Sequence, residues 1–121
     1  MAEMLLSKIF TFDASHNLIN LPAGHKCANL HGHTFKLVVT VKGEVDQLKG
    51  WVIDYSDIQK TVSPIVDILD HAYLNDISGL ENPTSENIAL FVWKNLKQVL
   101  PMLESVEIQE TPTSSCLYRG G

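Results

Sequence analysis

The chain has 121 residues, of which 45% are hydrophobic, and its formal net charge at pH 7 is −5. This length and composition predict one globular domain over residues 1–121, and the acidic balance argues against a nucleic-acid partner. Glu3 and Lys8 interrupt the apolar N-terminal stretch, and no apolar run approaches membrane length. We therefore expect no signal peptide, no membrane partner and a cytoplasmic location.

Two strands are predicted first, because apolar residues alternate over residues 4–14 and again over residues 33–45. Side chains of a strand point alternately to opposite faces, so His16 continues the apolar face of the first strand. His33 shares a face with the apolar residues of the second strand, which are Phe35, Leu37, Val39 and Val41. We expect Gly43 to end or bulge this second strand.

A candidate metal site follows from this pattern. His31 and His33 project to the same side of an extended chain, and His16 is the natural third ligand. Neutral imidazole suits zinc, and a catalytic zinc typically has three protein ligands and one open position. Two alternatives stay open: the histidines could be ordinary strand residues, or Cys27 could be a fourth ligand that closes a purely structural site.

The cysteines and the loop between the strands receive separate predictions. Two cysteines in a cytoplasmic protein favour a functional thiol, Cys27, and a packed thiol, Cys116, over a disulfide. A turn is predicted at residues 22–24, and His25 is expected to be a solvated loop residue.

Two helices are predicted in the middle of the chain. Asp54 or Ser56 can cap the first helix, and Pro64 should kink or restart it. Its apolar positions are Tyr55, Ile58, Val62, Ile65 and Leu69. The second begins within residues 83–87 and ends at Pro101. Its predicted buried stripe consists of Ile88, Phe91, Val92, Leu96 and Val99.

Closing strands over residues 106–111 and 114–119 complete the order β-β-α-α-β-β. This order predicts an α+β domain in which two helices cover one face of an antiparallel four-stranded sheet. Glu110 shares the apolar face of its strand and therefore needs a partner. That partner could be a ligand with adjacent N–H donors or a structural ion pair, unless Glu110 is an exposed strand-end residue.

Asp70 and His71 directly follow the first predicted helix. A carboxylate beside an imidazole can fix its tautomer, as in a proton relay. From these two residues alone, a helix-end aspartate followed by a histidine that the helix dipole favours is the preferred interpretation.

Several ordered motifs resemble the 6-pyruvoyl-tetrahydropterin synthase superfamily. The motifs are residues 12–16, Cys27 with residues 31–33, residues 50–55, 69–75 and 82–87, and Glu110 with Thr111. The three-residue gap between Cys27 and His31 is similar to the bacterial 6-carboxy-5,6,7,8-tetrahydropterin synthase group, since pyruvoyl-forming relatives tend to carry a longer insertion.

The resemblance implies a role for each candidate residue. Zinc would be held by His16, His31 and His33. Cys27 would accept a proton from the substrate, with Asp70 and His71 as its relay, while Glu110 would anchor a pterin with contacts from Thr84 and Ser85. The implied fold is the tunnelling fold, in which subunits form trimeric barrels that stack as hexamers with active sites between subunits.

The implied reaction converts 7,8-dihydroneopterin triphosphate to 6-carboxy-5,6,7,8-tetrahydropterin, acetaldehyde and triphosphate in queuosine precursor biosynthesis. Relatives often have a basic residue where this chain has Asn29, so Lys26, Lys36 and Arg119 are the remaining candidates for binding the triphosphate. A pyruvoyl-forming synthase and a non-catalytic zinc-stabilised module are the alternatives.

Overall fold

A computed structural model describes residues 2–121 and contains one antiparallel sheet with the strand order β1-β2-β3-β4. In chain order the elements are β1 (Glu3–His16), β2 (His31–Glu44), α1 (Tyr55–Leu69), α2 (Ser85–Lys97), β3 (Leu103–Thr111) and β4 (Ser114–Tyr118). Short 3-10 turns occur at Lys26–Ala28 and Leu74–Asp76. The predicted α+β class and the element order are confirmed.

The hydrophobic core lies between one face of the sheet and the two helices. Helix α1 packs on β1, and α2 packs on β3 and β4. Alternate strand residues are buried against them, including Phe12, Phe35, Leu37 and Ile108. Leu5 and Ile9 on the opposite face of β1 are exposed, so helices cover only one face of the sheet, as predicted.

The first two strands extend beyond their predicted ends. β1 continues to His16 and β2 begins at His31, and the antiparallel register pairs these two residues. β2 also continues past Gly43, where a Cβ atom would lie 2.8 Å from Val52 Cγ1. The strand then ends at Glu44, so the predicted strand end agrees within one residue, whereas the predicted bulge at Gly43 is wrong. Glycine there permits a close approach of the following loop, and the register between β2 and β3 shifts at residues 40–41 instead.

Helix α1 runs unbroken through Pro64, so the predicted restart at this residue is wrong, while a kink there stays a prediction. Pro64 cannot donate a hydrogen bond to the preceding turn. Val62 and Ile65 on either side of it are buried, however, and this packing holds the helix on the sheet. The helix begins after Asp54, whose carboxylate accepts the Ser56 N–H at 2.9 Å. Tyr55 was predicted among its apolar positions but is 52% exposed.

Helix α2 ends at Lys97, before the predicted stop at Pro101. The Lys97 ammonium donates hydrogen bonds to the carbonyls of Pro101 and Leu103, at 2.8 and 3.0 Å, and so ties the end of the helix to β3. Val99 lies beyond the helix and is 57% exposed, so its assignment to the buried stripe was wrong. Within residues 2–121, no helix is long and apolar enough to cross a membrane.

Candidate active site

Three imidazoles meet at one end of the sheet, on the face that the helices cover. His16 ends β1, while His31 and His33 begin β2. Their ring centroids lie 4.5 Å apart for His16 and His31, 5.0 Å for His31 and His33, and 5.4 Å for His16 and His33. The Phe35 ring lies 5.5 Å from that of His16 and 5.6 Å from that of His33, so the cluster continues the hydrophobic core.

His16 is fully buried, and the hydrogen bond of its ring to Pro83 selects one tautomer. Its Nδ1 lies 2.8 Å from the Pro83 carbonyl, to which it donates. Burial lowers the pKa of His16, so the imidazole is neutral and Nε2 carries the lone pair. Nε2 faces the cluster without a hydrogen-bond partner among the described residues. His31 is oriented similarly, because its Nδ1 donates to the Asn29 carbonyl at 2.7 Å.

The Glu110 carboxylate faces these imidazoles from β3. Its Oε1 lies 3.0 Å from His16 Nε2, a contact without hydrogen-bond geometry, and 3.6 Å from His33 Nε2. One potential ligand atom from each of the four residues lies within 4.8 Å of the others. A buried nitrogen with a free lone pair among neutral imidazoles fits a transition-metal ion, since imidazoles that ligate metals typically donate their other N–H to a carbonyl or carboxylate.

A cavity of about 320 Å³ adjoins the cluster and is lined by Lys26, Cys27, His31, His33 and Glu110. Cys27 therefore lies beside the imidazoles, but it does not belong to the group of potential ligands. Thr84 caps α2 by accepting the Asn87 N–H at 3.1 Å. Neither Thr84 nor Ser85 lines this cavity within the described part of the chain.

Asp70 and His71 form a second polar cluster at the outer edge of β1. Asp70 Oδ2 lies 3.1 Å from His71 Nδ1, and Asp70 Oδ1 accepts the Asp13 N–H at 2.9 Å. This backbone hydrogen bond lowers the pKa of Asp70. His71 has the left-handed φ of 59°, and its N–H donates to the Asp13 carbonyl at 2.6 Å. The predicted pair of Asp70 and His71 thus forms within one chain, but neither residue lines the cavity that contains Cys27.

Two asparagines that the sequence motifs contain, without an assigned role, hold the segment after His16. Asn75 accepts the Asn17 N–H at 3.0 Å and donates to the Asn17 carbonyl at 2.7 Å. Asn82 accepts the Ile19 N–H at 3.1 Å. Asn82 directly precedes Pro83, whose carbonyl accepts the hydrogen bond from His16. The asparagine-rich loop sequence was the available signal, but it does not specify the partners.

Both cysteines are free, in agreement with the prediction of no disulfide. Cys116 lies on β4 and packs partly buried against the core, as expected. Burial raises the pKa of its thiol, and the nearby Glu86 carboxylate adds to this effect. An ordinary, unreactive thiol is therefore expected at Cys116.

The fold and the site together define a small α+β protein with a three-histidine candidate metal centre. The chain belongs to the 6-pyruvoyl tetrahydropterin synthase family, whose sequence model matches residues 5–121. This assignment confirms the resemblance that the motifs indicated and the interpretation of the chain as an enzyme.

Named relatives cover nearly the whole chain. It is 42% identical to the 6-carboxy-5,6,7,8-tetrahydropterin synthase of Synechocystis, over 94% of this chain and 92% of the relative. It is 37% identical to the human 6-pyruvoyl tetrahydrobiopterin synthase, over 95% and 90% of the two chains. The structure of the 6-pyruvoyl tetrahydropterin synthase of Caenorhabditis elegans matches with a TM-score of 0.92 at 31% identity, covering 100% of this chain and 98% of that one.

Proposed function

We propose that this chain is a zinc-dependent lyase. It would convert 7,8-dihydroneopterin triphosphate and water to 6-carboxy-5,6,7,8-tetrahydropterin, acetaldehyde and triphosphate, a step in queuosine precursor biosynthesis. The observation that carries the proposal is the convergence of three imidazoles beside a cavity lined by Cys27, where one buried Nε2 has no hydrogen-bond partner within residues 2–121. The similarity to the Synechocystis synthase and the short gap between Cys27 and His31 favour the carboxy product.

His16, His31 and His33 would hold the zinc. Two features of His16 support this role: its lowered pKa keeps the ring neutral, and its Nδ1–H donates to the Pro83 carbonyl, which leaves Nε2 for the metal. Bound zinc supplies a Lewis acid that polarises the side-chain hydroxyls of the substrate and makes the neighbouring C–H protons easier to remove. The location of Cys27 outside the group of potential ligands supports a site with an open position over a closed structural site.

Cys27 would then take a proton from the substrate side chain, since it lines the cavity next to two of the imidazoles. Asp70 would hold His71 through Nδ1, leaving Nε2 of this exposed imidazole to accept or return a proton. Because Asp70 and His71 lie at the β1 edge, the cavity they serve would belong to a neighbouring subunit.

Glu110 would bind the pterin, because a carboxylate can accept two parallel hydrogen bonds from a ring N–H and an amino group. Its side chain is 30% exposed and borders the cavity, so it can turn from the imidazoles toward a ligand. Thr84 and Ser85 would contact the same ring, in this arrangement from another subunit. Lys26 lines the cavity and is the best-placed of the candidate residues for the triphosphate.

The proposal includes a homo-oligomer of the single domain formed by residues 1–121, a trimer or a stacked hexamer, in the cytoplasm. Leu5 and Ile9 are exposed on the face of the sheet that the helices leave uncovered, and within residues 2–121 β2 is the one strand that pairs with β1. Both features support closure of the sheet against further copies of the chain. Multi-angle light scattering should give three or six times the mass of one chain. A monomer at micromolar concentration would contradict this part of the proposal.

The reaction is tested by incubating the zinc-loaded protein with 7,8-dihydroneopterin triphosphate and identifying the products by mass spectrometry. We expect 6-carboxy-5,6,7,8-tetrahydropterin together with acetaldehyde. The human relative's name makes 6-pyruvoyl tetrahydropterin the second candidate product, and its formation without acetaldehyde would assign that activity instead. The Cys27→Ala variant is the matched control and should form neither product at an appreciable rate.

A further inference from the structure

The segment that carries Cys27 has little packing to hold it in place. Its 3-10 turn, Lys26–Ala28, contains no buried residue. The reactive geometry of a thiol on such a turn must therefore come from hydrogen bonds rather than from side-chain burial.

Two hydrogen bonds fix the backbone of Cys27 itself. Its carbonyl accepts the Leu18 N–H at 2.8 Å, which ties it to the chain two residues after His16. Its N–H donates to Nδ1 of the His25 side chain at 3.1 Å. His25 is the N-cap of the turn, and its own carbonyl accepts the Ala28 N–H at 3.0 Å. The exposed imidazole of His25 was expected to be a solvated loop residue, yet it has a defined partner.

We propose that His25 is a positioning residue for Cys27: its Nδ1 accepts the Cys27 N–H and holds the turn so that the thiol faces the cavity beside the imidazoles. The acceptor must be an unprotonated nitrogen, so the ring carries its hydrogen on Nε2. This inference rests on the proposed function, in which Cys27 takes a proton from the substrate.

His25 is the residue whose side chain accepts the Cys27 N–H. A histidine is an unusual N-cap, and asparagine and aspartate are the common ones because their side-chain oxygen accepts the same backbone N–H. An oxygen acceptor in place of Nδ1 should therefore maintain the turn. An alanine should lose it, and because 1 Å of misplacement can cost roughly 100-fold in rate, the effect on catalysis can exceed the effect on stability.

The experiment compares His25→Ala with His25→Asn in the zinc-loaded protein. His25→Ala should lower kcat by about 10- to 100-fold with KM and zinc content nearly unchanged. His25→Asn should restore kcat to near the unmodified level. Asp46→Ala is the matched control, because Asp46 makes the same kind of side-chain contact to the Leu48 and Lys49 N–H groups in a different loop. An unchanged kcat in His25→Ala, or equal losses in the alanine and asparagine variants, would overturn the role.

Two further measurements do not depend on lyase activity, so they separate this inference from the proposed function. In ¹⁵N NMR spectra of the unmodified protein, His25 should be the Nε2–H tautomer, and an Nδ1–H tautomer would overturn the proposal. In alkylation by iodoacetamide with peptide mapping, Cys27 should be labelled faster relative to Cys116 in His25→Ala, by roughly fivefold if the lost cap shifts the opening equilibrium of the turn by about 1 kcal/mol, and at an unchanged relative rate in His25→Asn. If these results hold and no lyase product forms, only the proposed reaction fails.

Discussion

His31 and His33 lie on a strand that pairs residue by residue with β1, whereas Cys27, which lines the same cavity, lies on an exposed turn. The positions of the imidazoles are fixed by the register of the sheet and by the core on which they pack. The thiol depends on a few hydrogen bonds to His25 and Leu18. In the proposed function, the strand residues would therefore hold an ion in a fixed place, while the turn residue could adjust to a substrate.

The largest expected effect tests the strand side of this comparison. His31→Ala should remove most of the zinc and all measurable activity, because two imidazoles leave the site short of the usual three protein ligands. Metal analysis after gel filtration measures the zinc per chain. His71→Ala is the matched control and should retain its zinc, since His71 lies in the other cluster with Asp13 and Asp70. Full zinc occupancy in His31→Ala would exclude His31 as a ligand.

The next effect concerns the thiol on the turn. Cys27→Ala should keep zinc and oligomeric state but lose about 10² to 10⁴ in rate, the usual contribution of a positioned acid or base. Cys116→Ala should retain its rate, because Cys116 lies on β4 and packs against the core. Steady-state kinetics and metal analysis of both variants provide the check. Loss of zinc and of stability together in Cys27→Ala would instead support a thiolate ligand.

Glu110 lies between the strand histidines and the turn that carries Cys27, since it faces the imidazoles and borders the cavity. Glu110→Gln should weaken substrate binding roughly 10- to 100-fold, as expected when charge-assisted hydrogen bonds are lost, and should keep the zinc. Glu107→Gln on the same strand, where Glu107 contacts Gln109, should bind substrate normally. Isothermal titration with a pterin measures the affinity. Zinc loss in Glu110→Gln would make Glu110 a ligand, and a large fall in Tm with intact binding would make it a structural ion-pair partner.

The sequence alone predicted the strand side of the site well. The alternation of apolar residues toward His16 and His33 is a local pattern, and burial of one sheet face enforces it. Sequence patterns predicted the helices less well: α1 does not restart at Pro64, where buried neighbours hold it on the sheet, and α2 ends at Lys97 rather than at Pro101.

The polar contacts of the loops around the site were less predictable, whether they join distant or neighbouring residues. Asn75 holds Asn17 across 58 residues, and no periodicity indicates such a pair. The contact between His25 and Cys27 spans only two residues, but a single histidine in a polar loop gives no sign of the direction of its ring. Loop polar contacts depend on the exact backbone path, which sequence patterns do not specify.

The backbone at His71 gives a smaller effect. A left-handed φ of 59° favours glycine, and a histidine there is held by its N–H bond to the Asp13 carbonyl and by Asp70. His71→Gly should be more stable than His71→Ala by about 1 kcal/mol, while both lose the imidazole and its activity. Urea unfolding at constant zinc measures the difference. Equal stabilities would show that the left-handed conformation relaxes at no cost.

The smallest expected effect is a pH dependence at Asp70. Its pKa is lowered in the folded chain, first by the Asp13 N–H and also by His71, so the folded state binds a proton less readily than the unfolded state. The resulting stabilisation is fully present above the ordinary aspartate pKa of 3.8 and is lost as the pH falls through the lower folded value. Asp70→Asn keeps an oxygen acceptor for Asp13 but cannot ionise. The stability difference between the unmodified chain and this variant should therefore shrink as the pH is lowered below about 4.

Denaturant unfolding between pH 7 and pH 3 measures this stability difference, with Asp67→Asn, at an exposed position on α1, as the control. A stability difference that stays constant over this range would mean that the charge of Asp70 does not hold the loop to β1, and that its hydrogen-bond geometry alone does so.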